Sequence, residues 1–207
     1  AREDVNAAIH SYGGIVLHDV INDMFARKAI ETGADGLIAV AAGAGGHAGT
    51  LSPFALIQEI RQWFDGPLAL SGSIATGRAI AAARMMGADL GYMGSPFIAT
   101  VEANADSAYK QMIVDSHAAD IVYSDVFTGV HGNYLRPSIV ASGLDPDALP
   151  KAKDMDFASM TGGEKKAWRD VWGCGQGIGA IDKVQPAADF IADLKADYRS
   201  AVAGFTL

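Results

Sequence analysis

One cysteine, Cys174, occurs in 207 residues. An intramolecular disulfide is therefore excluded, and a reducing, cytoplasmic setting is the expectation. Basic residues are also few: 16 Lys and Arg stand against 24 Asp and Glu, a net charge of -8, with no Lys/Arg-rich cluster. That removes the electrostatic footprint a nucleic-acid partner needs. The longest apolar runs are interrupted by glycine or polar residues within about ten positions, too short for a membrane span. No signal-peptide pattern, Cys/His metal spacing, nucleophile elbow or Walker pattern is found. Secretion, metal chemistry and triad hydrolysis all lose their usual sequence support.

Half of the residues are hydrophobic and 24 are glycine, which suits one or two globular domains with a sizeable core. The opening "AREDVNAAIHSYGG" reads as the interior and end of a helix closed by Gly13, as though the chain starts mid-fold. From residue 13 to 100 one pattern then repeats: a short apolar run, a Gly/Ser-rich turn, and an Ala-rich amphipathic stretch. The runs are "GIVLHDV" (14–20), "GLIAVAA" (36–42), "PLALSGS" (67–73) and "LGYMGSP" (90–96). They are nearly continuous, as expected for parallel strands covered on both faces.

Helices are expected between them. Residues 22–32 stop at Gly33. Ser52 caps a helix that has Pro53 at its first position and runs to about Phe64. Thr76 caps "GRAIAAARMM", closed by Gly87. This is a repeating βα unit with right-handed crossovers. Beyond about Thr100 the pattern changes. "VEANADSAYKQMIVDS" reads as a helix with Tyr109, Met112 and Ile113 inward, "ADIVYSDVF" as a strand, 129–150 as turn-rich, and 185–203 as an amphipathic helix. The expected organisation is a βα-barrel portion over 1–100, a smaller substrate-side insertion over 101–184 and a closing helix over 185–207.

In a parallel α/β fold the turns after successive strands gather at the carboxyl edge of the sheet, where ligands bind. Three such turns carry glycine: "GAGGHAG", "SGSIATG" and "MGSPF". The last two suit a phosphate, since Gly72 lets backbone approach closely and the amides of Ser73 and Ser95, backed by hydroxyls and following helix N-termini, can face an anion. In barrels the habitual phosphate turns are the seventh and eighth, which makes the run at 14–20 strand five.

The stretches "GADGLIAVAAGAGGHAG", "SGSIATGRAIAAARMMGADLGYMGSPF", "VFTGV" and "GQGIG" resemble the FMN-dependent nitronate monooxygenases, formerly 2-nitropropane dioxygenases, a family with related quinone and enoyl reductases. The resemblance covers the second half of such a protein, closely over 14–100 and more loosely over 121–205. It implies a (βα)8 TIM-barrel fold, here about four βα units, from a longer parent protein. It also implies non-covalent FMN, with Ser71, Gly72 and Ser73 on one side of the phosphate and Gly94 and Ser95 on the other. Gly45 and Gly46 would lie close to the flavin ring and present His47 to the substrate. His47 would act as a general base on the carbon alpha to a nitro group, or as a hydrogen-bond donor to a nitronate or quinone oxygen.

The chain departs from the family pattern in several places. Ser73 stands where relatives commonly have glycine, and Ser95 where they have threonine. Gly43 and Ala44 replace a frequent acidic or cysteine side chain, which bears on substrate class. His18-Asp19 stands where a lysine often lies near the flavin. His131 and Gln176 are candidates for the substrate mouth, while His10, His117 and Cys174 read as surface or packing residues.

The leading expectation is oxidation of alkyl nitronates by oxygen. The alternatives are an NAD(P)H-dependent quinone or enoyl-thioester reductase, a non-flavin phosphate-binding barrel, and a non-catalytic half-barrel that binds a partner. The expected partners are a small-molecule substrate and oxygen, with a homodimer as a candidate assembly and neither nucleic acid nor membrane involved.

Overall fold

A computed structural model describes residues 2–149 and 171–205. The portion of the expected insertion at 150–170 lies outside the described residues. The chain divides into two compact units: one comprises 1–42, 49–93 and 193–207, the other 43–48 and 94–192. The later change of unit falls at Gly94. The glycine-rich stretch 43–48 belongs with the later sequence, not with the repeats that flank it.

The first unit begins with α1 (Glu3–His10), which Gly13 follows at φ 81°. Four strands then form a parallel sheet: β1 (Leu17–Val20), β2 (Gly36–Val40), β4 (Leu68–Ser71) and β5 (Leu90–Tyr92), in the order β1-β2-β4-β5. Leu37 lies opposite Leu68, and Ser71 opposite Tyr92. The central strands are the apolar core expected, with Leu37, Ala39, Leu68 and Leu70 buried. The outer strands are not covered on both faces: Leu90 is 57% and Tyr92 55% exposed. Each of these outer strands has one neighbour in the sheet, so continuous apolar character does not by itself imply two-sided cover.

The helices lie where the punctuation places them. α2 (Asp23–Glu31) is capped by Asn22, whose side chain accepts from the Phe25 amide. α3 (Pro53–Arg61) is capped by Ser52, and α4 (Gly77–Met85) by Thr76. Leu56, Ile57, Ile60 and Ala83 close the core over the sheet. Arg61 ties the end of α3 to the next turn, donating to the carbonyls of Phe64, Gly66 and Gly87 and to Asp89.

The second unit is built on a three-stranded antiparallel sheet, β3-β7-β6, formed by β3 (Gly46–His47), β6 (Ile121–Ser124) and β7 (Gly132–Leu135). α5 (Ser95–Ile98), α6 (Ser107–Val114) and α7 (Arg136–Ala141) accompany it. The helix expected from residue 101 starts only at Ser107. Before it, the Val101 amide donates to the Gln185 carbonyl and Thr100 bridges Gln185, and the chain then bends until Asp106 caps the helix. Over 129–149, read as turn-rich, the chain holds β7 and α7. A core of Ala99, Ile113, Leu135, Cys174 and Ile178 is sealed by Tyr109 stacked on Trp172 at 4.8 Å.

The last helix, α8 (Ala187–Ala203), contributes to each unit in turn. In the second unit Phe190 meets Phe97 edge-on at 5.2 Å. In the first, Asp197 accepts from the Arg78 amide at 2.7 Å, and a Cβ on Gly77 would lie 2.1 Å from the Leu194 carbonyl. The close approach of α8 to the start of α4 therefore requires glycine there. Among the described residues no helix is long and apolar enough to cross a membrane.

Candidate active site

The turn after β4 contains Ser71, Gly72 and Ser73. Gly72 has φ 130°, and a Cβ there would sit 2.9 Å from the Ala42 carbonyl oxygen, so neither conformation nor space admits a side chain. Ser73 follows at φ 56° and is the one non-glycine residue at positive φ among those described. A serine held in the left-handed region is a strained position of the kind that clusters at ligand turns.

The amides just beyond are equally informative. Ile74 and Ala75 are buried, and among the described residues their N–H groups, like that of Ser73, donate to no protein acceptor. Three successive amides without a protein acceptor among the described residues, on an exposed Ser73 and two buried neighbours, are suited to an anion. The following helix contributes less than its N-terminus promises. The Arg78 amide already donates to the Asp197 carboxylate, and the Ala79 amide to Thr76.

In the second unit, Gly94 and Ser95 open α5. Nothing lies within 4 Å of where a Cβ on Gly94 would be. The Ser95 hydroxyl accepts from the Gly175 amide at 2.9 Å and so anchors the 173–175 segment, which leaves its own proton to donate. Its amide has no acceptor among the described residues.

The stretch 43–47 packs backbone to backbone against the same segment. A Cβ on Gly45 would lie 2.9 Å from the Gly175 nitrogen, and one on Gly175 would lie 2.7 Å from the Gly43 oxygen. The Gln176 amide donates to the Gly43 carbonyl, and buried Asn133 donates to the Ala44 carbonyl at 2.7 Å. Gly45 nevertheless remains exposed. Its bareness has a packing cause within the protein, a role distinct from leaving room for a cofactor. Gly46 and His47 form β3, with His47 opposite Gly132 of β7.

His47 is exposed, and its Nε2 lies 2.9 Å from Thr128 Oγ1. Thr128 sits in the β6–β7 turn, and nothing local in the sequence links it to a histidine 81 positions away. The other histidines have structural partners. His131 stacks on Tyr123 at 5.0 Å, and His10 pairs with Asp35 at 2.9 Å. His18 and Asp19 line a cavity of about 290 Å³ at the end of β1, together with Phe25 and Lys28. That places a lysine beside the His18-Asp19 pair, from α2 rather than from the strand.

Cys174 is fully buried, and burial pushes its thiol up to about 11. Burial likewise raises Tyr109, whose hydroxyl donates to the Gly173 carbonyl. Among the described residues no group of three His, Cys, Asp or Glu side chains could hold a metal ion.

The model of the nitronate monooxygenase family matches residues 2–197. The nitronate monooxygenase of Paraburkholderia phytofirmans is 26% identical over 96% of this chain and 58% of its own length. That of Pseudomonas aeruginosa is 28% identical over 81% of this chain and 52% of its own. Among solved structures, FabK from Thermotoga maritima superposes with a TM-score of 0.79 at 28% identity, covering 95% of this chain and 65% of that one. Nitroalkane oxidase from Streptomyces ansochromogenes gives 0.83 at 24% identity over the whole of this chain and 63% of its own, a likeness of fold. The chain thus spans between half and two thirds of the length of these relatives, and by its match over residues 2–197 it belongs to the nitronate monooxygenase family.

Proposed function

We propose that the chain carries the FMN-binding and proton-transfer residues of an oxidoreductase that oxidises alkyl nitronates with molecular oxygen. The observation that carries this reading is His47, an exposed imidazole fixed at the end of a glycine-rich turn by Thr128 at 2.9 Å, in a chain of this family. The four parallel strands of the first unit, with their helices, are proposed as the second half of a (βα)8 barrel.

FMN fits the residues present. The amides of Ser73, Ile74 and Ala75, which have no acceptor among the described residues, stand beside a Gly72 that admits no Cβ and are donors of the type a phosphate requires. Ser71, Gly72 and Ser73 are the proposed phosphate anchor of the first unit. In the second unit, Gly94 and Ser95 offer backbone amides, the Ser95 side chain holding the adjoining loop. Gly45 and Gly46 offer bare backbone to the ring. FMN, when bound, supplies electron transfer between the nitronate and oxygen.

His47 is the proposed catalytic base. It removes the proton alpha to the nitro group of a neutral nitroalkane and, once protonated, donates a hydrogen bond to the nitronate oxygens. Glycine at 43 and alanine at 44 supply no acid or nucleophile from the glycine-rich turn itself.

Oxygen uptake with alkyl nitronates, compared with NADH oxidation in the presence of quinones or enoyl thioesters, tests the reading. Nitronate-dependent uptake is expected, together with loss of about 10²-fold of nitroalkane turnover in His47→Gln. NADH oxidation without nitronate turnover would replace it with the reductase alternative.

A further inference from the structure

Thr128 Oγ1 is the centre of a small network. The Val130 carbonyl lies 2.9 Å away and His47 Nε2 2.9 Å away, with the Val130 amide and the Tyr134 hydroxyl each at 3.4 Å. A hydroxyl has one proton and two lone pairs. The Thr128 hydroxyl is directed at the Val130 carbonyl, which can only accept; with the hydroxyl proton there, a lone pair faces His47 and Nε2 is the donor.

We propose that Thr128 is a positioning residue that holds neutral His47 as the Nε2–H tautomer and so makes Nδ1 the atom that takes the substrate proton. The proposal rests on the reading of His47 as the base and assigns the atom and the residue that selects it. Nδ1 has no hydrogen-bond partner among the described residues.

Both ends of the Thr128–His47 bond rest on the same sheet. His47 is held by its register with Gly132, by the Ala48 amide donating to the His131 carbonyl at 3.2 Å, and by the Tyr123 hydroxyl donating to the Ala48 carbonyl at 2.9 Å. The Thr128 turn is closed by the Gly129 amide donating to the Asp125 carbonyl at 2.8 Å. The bond therefore orients a ring whose backbone is already fixed, as second-shell partners orient histidines elsewhere.

The arrangement also suits the protonated state. When the proton leaves the carbon alpha to the nitro group, the C–H electron pair becomes the C=N bond of the nitronate and the negative charge moves onto the nitro oxygens. The proton joins Nδ1, and the imidazolium keeps its Nε2–H on Thr128, because the threonine only accepts. Loss of the Nδ1 proton to solvent restores the starting tautomer. A threonine that donated to Nε2 would hold the opposite tautomer, with Nδ1 already protonated.

The test is the ring tautomer of His47, read by long-range proton–nitrogen correlation in protein labelled with ¹⁵N-histidine. His47→Gln identifies its signals among the five histidines. The expected result is a proton on Nε2 in the unaltered protein and in Thr128→Ser, and a mixture of tautomers in Thr128→Val. The ratio of turnover on nitroalkane to that on preformed nitronate, which needs no proton removed, is expected to fall about tenfold in Thr128→Val and to be restored by Thr128→Ser. A proton on Nδ1 in the unaltered protein, or an unchanged tautomer in Thr128→Val, would overturn the proposal. If the tautomer is as stated but His47→Gln keeps the turnover ratio, the base assignment fails while the tautomer stands.

Discussion

Gly45 and Gly175 approach so closely that a methyl group on the first would lie 2.9 Å from the backbone nitrogen of the second. The contact sets the glycine-rich stretch against the 173–175 segment, which Ser95 and Asn133 also hold. Because the obstacle is backbone, Gly45→Ala forces a shift, and a destabilisation of about 1–3 kcal/mol is expected. Urea denaturation of the variant measures it. An unchanged midpoint would mean that the two segments do not pack as described.

Ser73 and Gly72 give a pair of predictions with opposite signs. Ser73 at φ 56° carries a left-handed strain, so Ser73→Gly should raise stability by about 1 kcal/mol. Gly72→Ala meets both a φ of 130° and the Ala42 carbonyl, and should lower stability by about 2 kcal/mol or more. Thermal unfolding of the two variants side by side checks both signs. If the strain at Ser73 serves phosphate binding, Ser73→Gly should also alter FMN affinity.

Asp89 accepts from the Leu68 amide at 2.9 Å and from Arg61 at 2.8 Å, and these donors hold its carboxyl below the usual carboxylate range. A lowered folded-state value stabilises the fold at pH above the ordinary value of 3.8, and that contribution is lost as pH falls through the folded value. Asp89→Asn should therefore be less stable than the parent at neutral pH, with the difference narrowing in acid. Melting temperatures across that range test the sign. The carboxylate is 56% exposed, so solvent screening keeps the effect small.

Cys174 should be inert in the folded protein, since burial both hides the thiol and raises it to about 11. A thiol reagent at mildly alkaline pH should label nothing until denaturant is added, and then one site per chain. Rapid labelling of the native protein would contradict the packing around Ile178 and Leu135.

The βα repeats of the first unit were legible because their signals are local. Asn22, Ser52 and Thr76 cap helices through atoms two or three residues away, and Gly33 and Gly87 stand just past helix ends at positive φ. What escaped was set by distant partners. β3 is two residues long and exists because β7 pairs with it, some 86 positions on. The helix read from 101 is delayed to Ser107 by pairing with Gln185. The same distinction applies at the candidate site. Gly72 and His47 announce themselves by residue type, whereas Thr128 acquires its meaning only from the fold. The Ser95 hydroxyl adds a contact that residue type does not reveal, since it accepts from the Gly175 amide 80 positions on.

The central claim is that these turns serve FMN. The most direct measurement is the near-ultraviolet and visible absorbance of the purified protein after incubation with FMN, followed by denaturation to identify what is released. Flavin absorbance that stays with the protein through desalting, with FMN rather than FAD released, is the predicted result. A colourless protein that retains no FMN would contradict the assignment of the β4 turn as a flavin phosphate site.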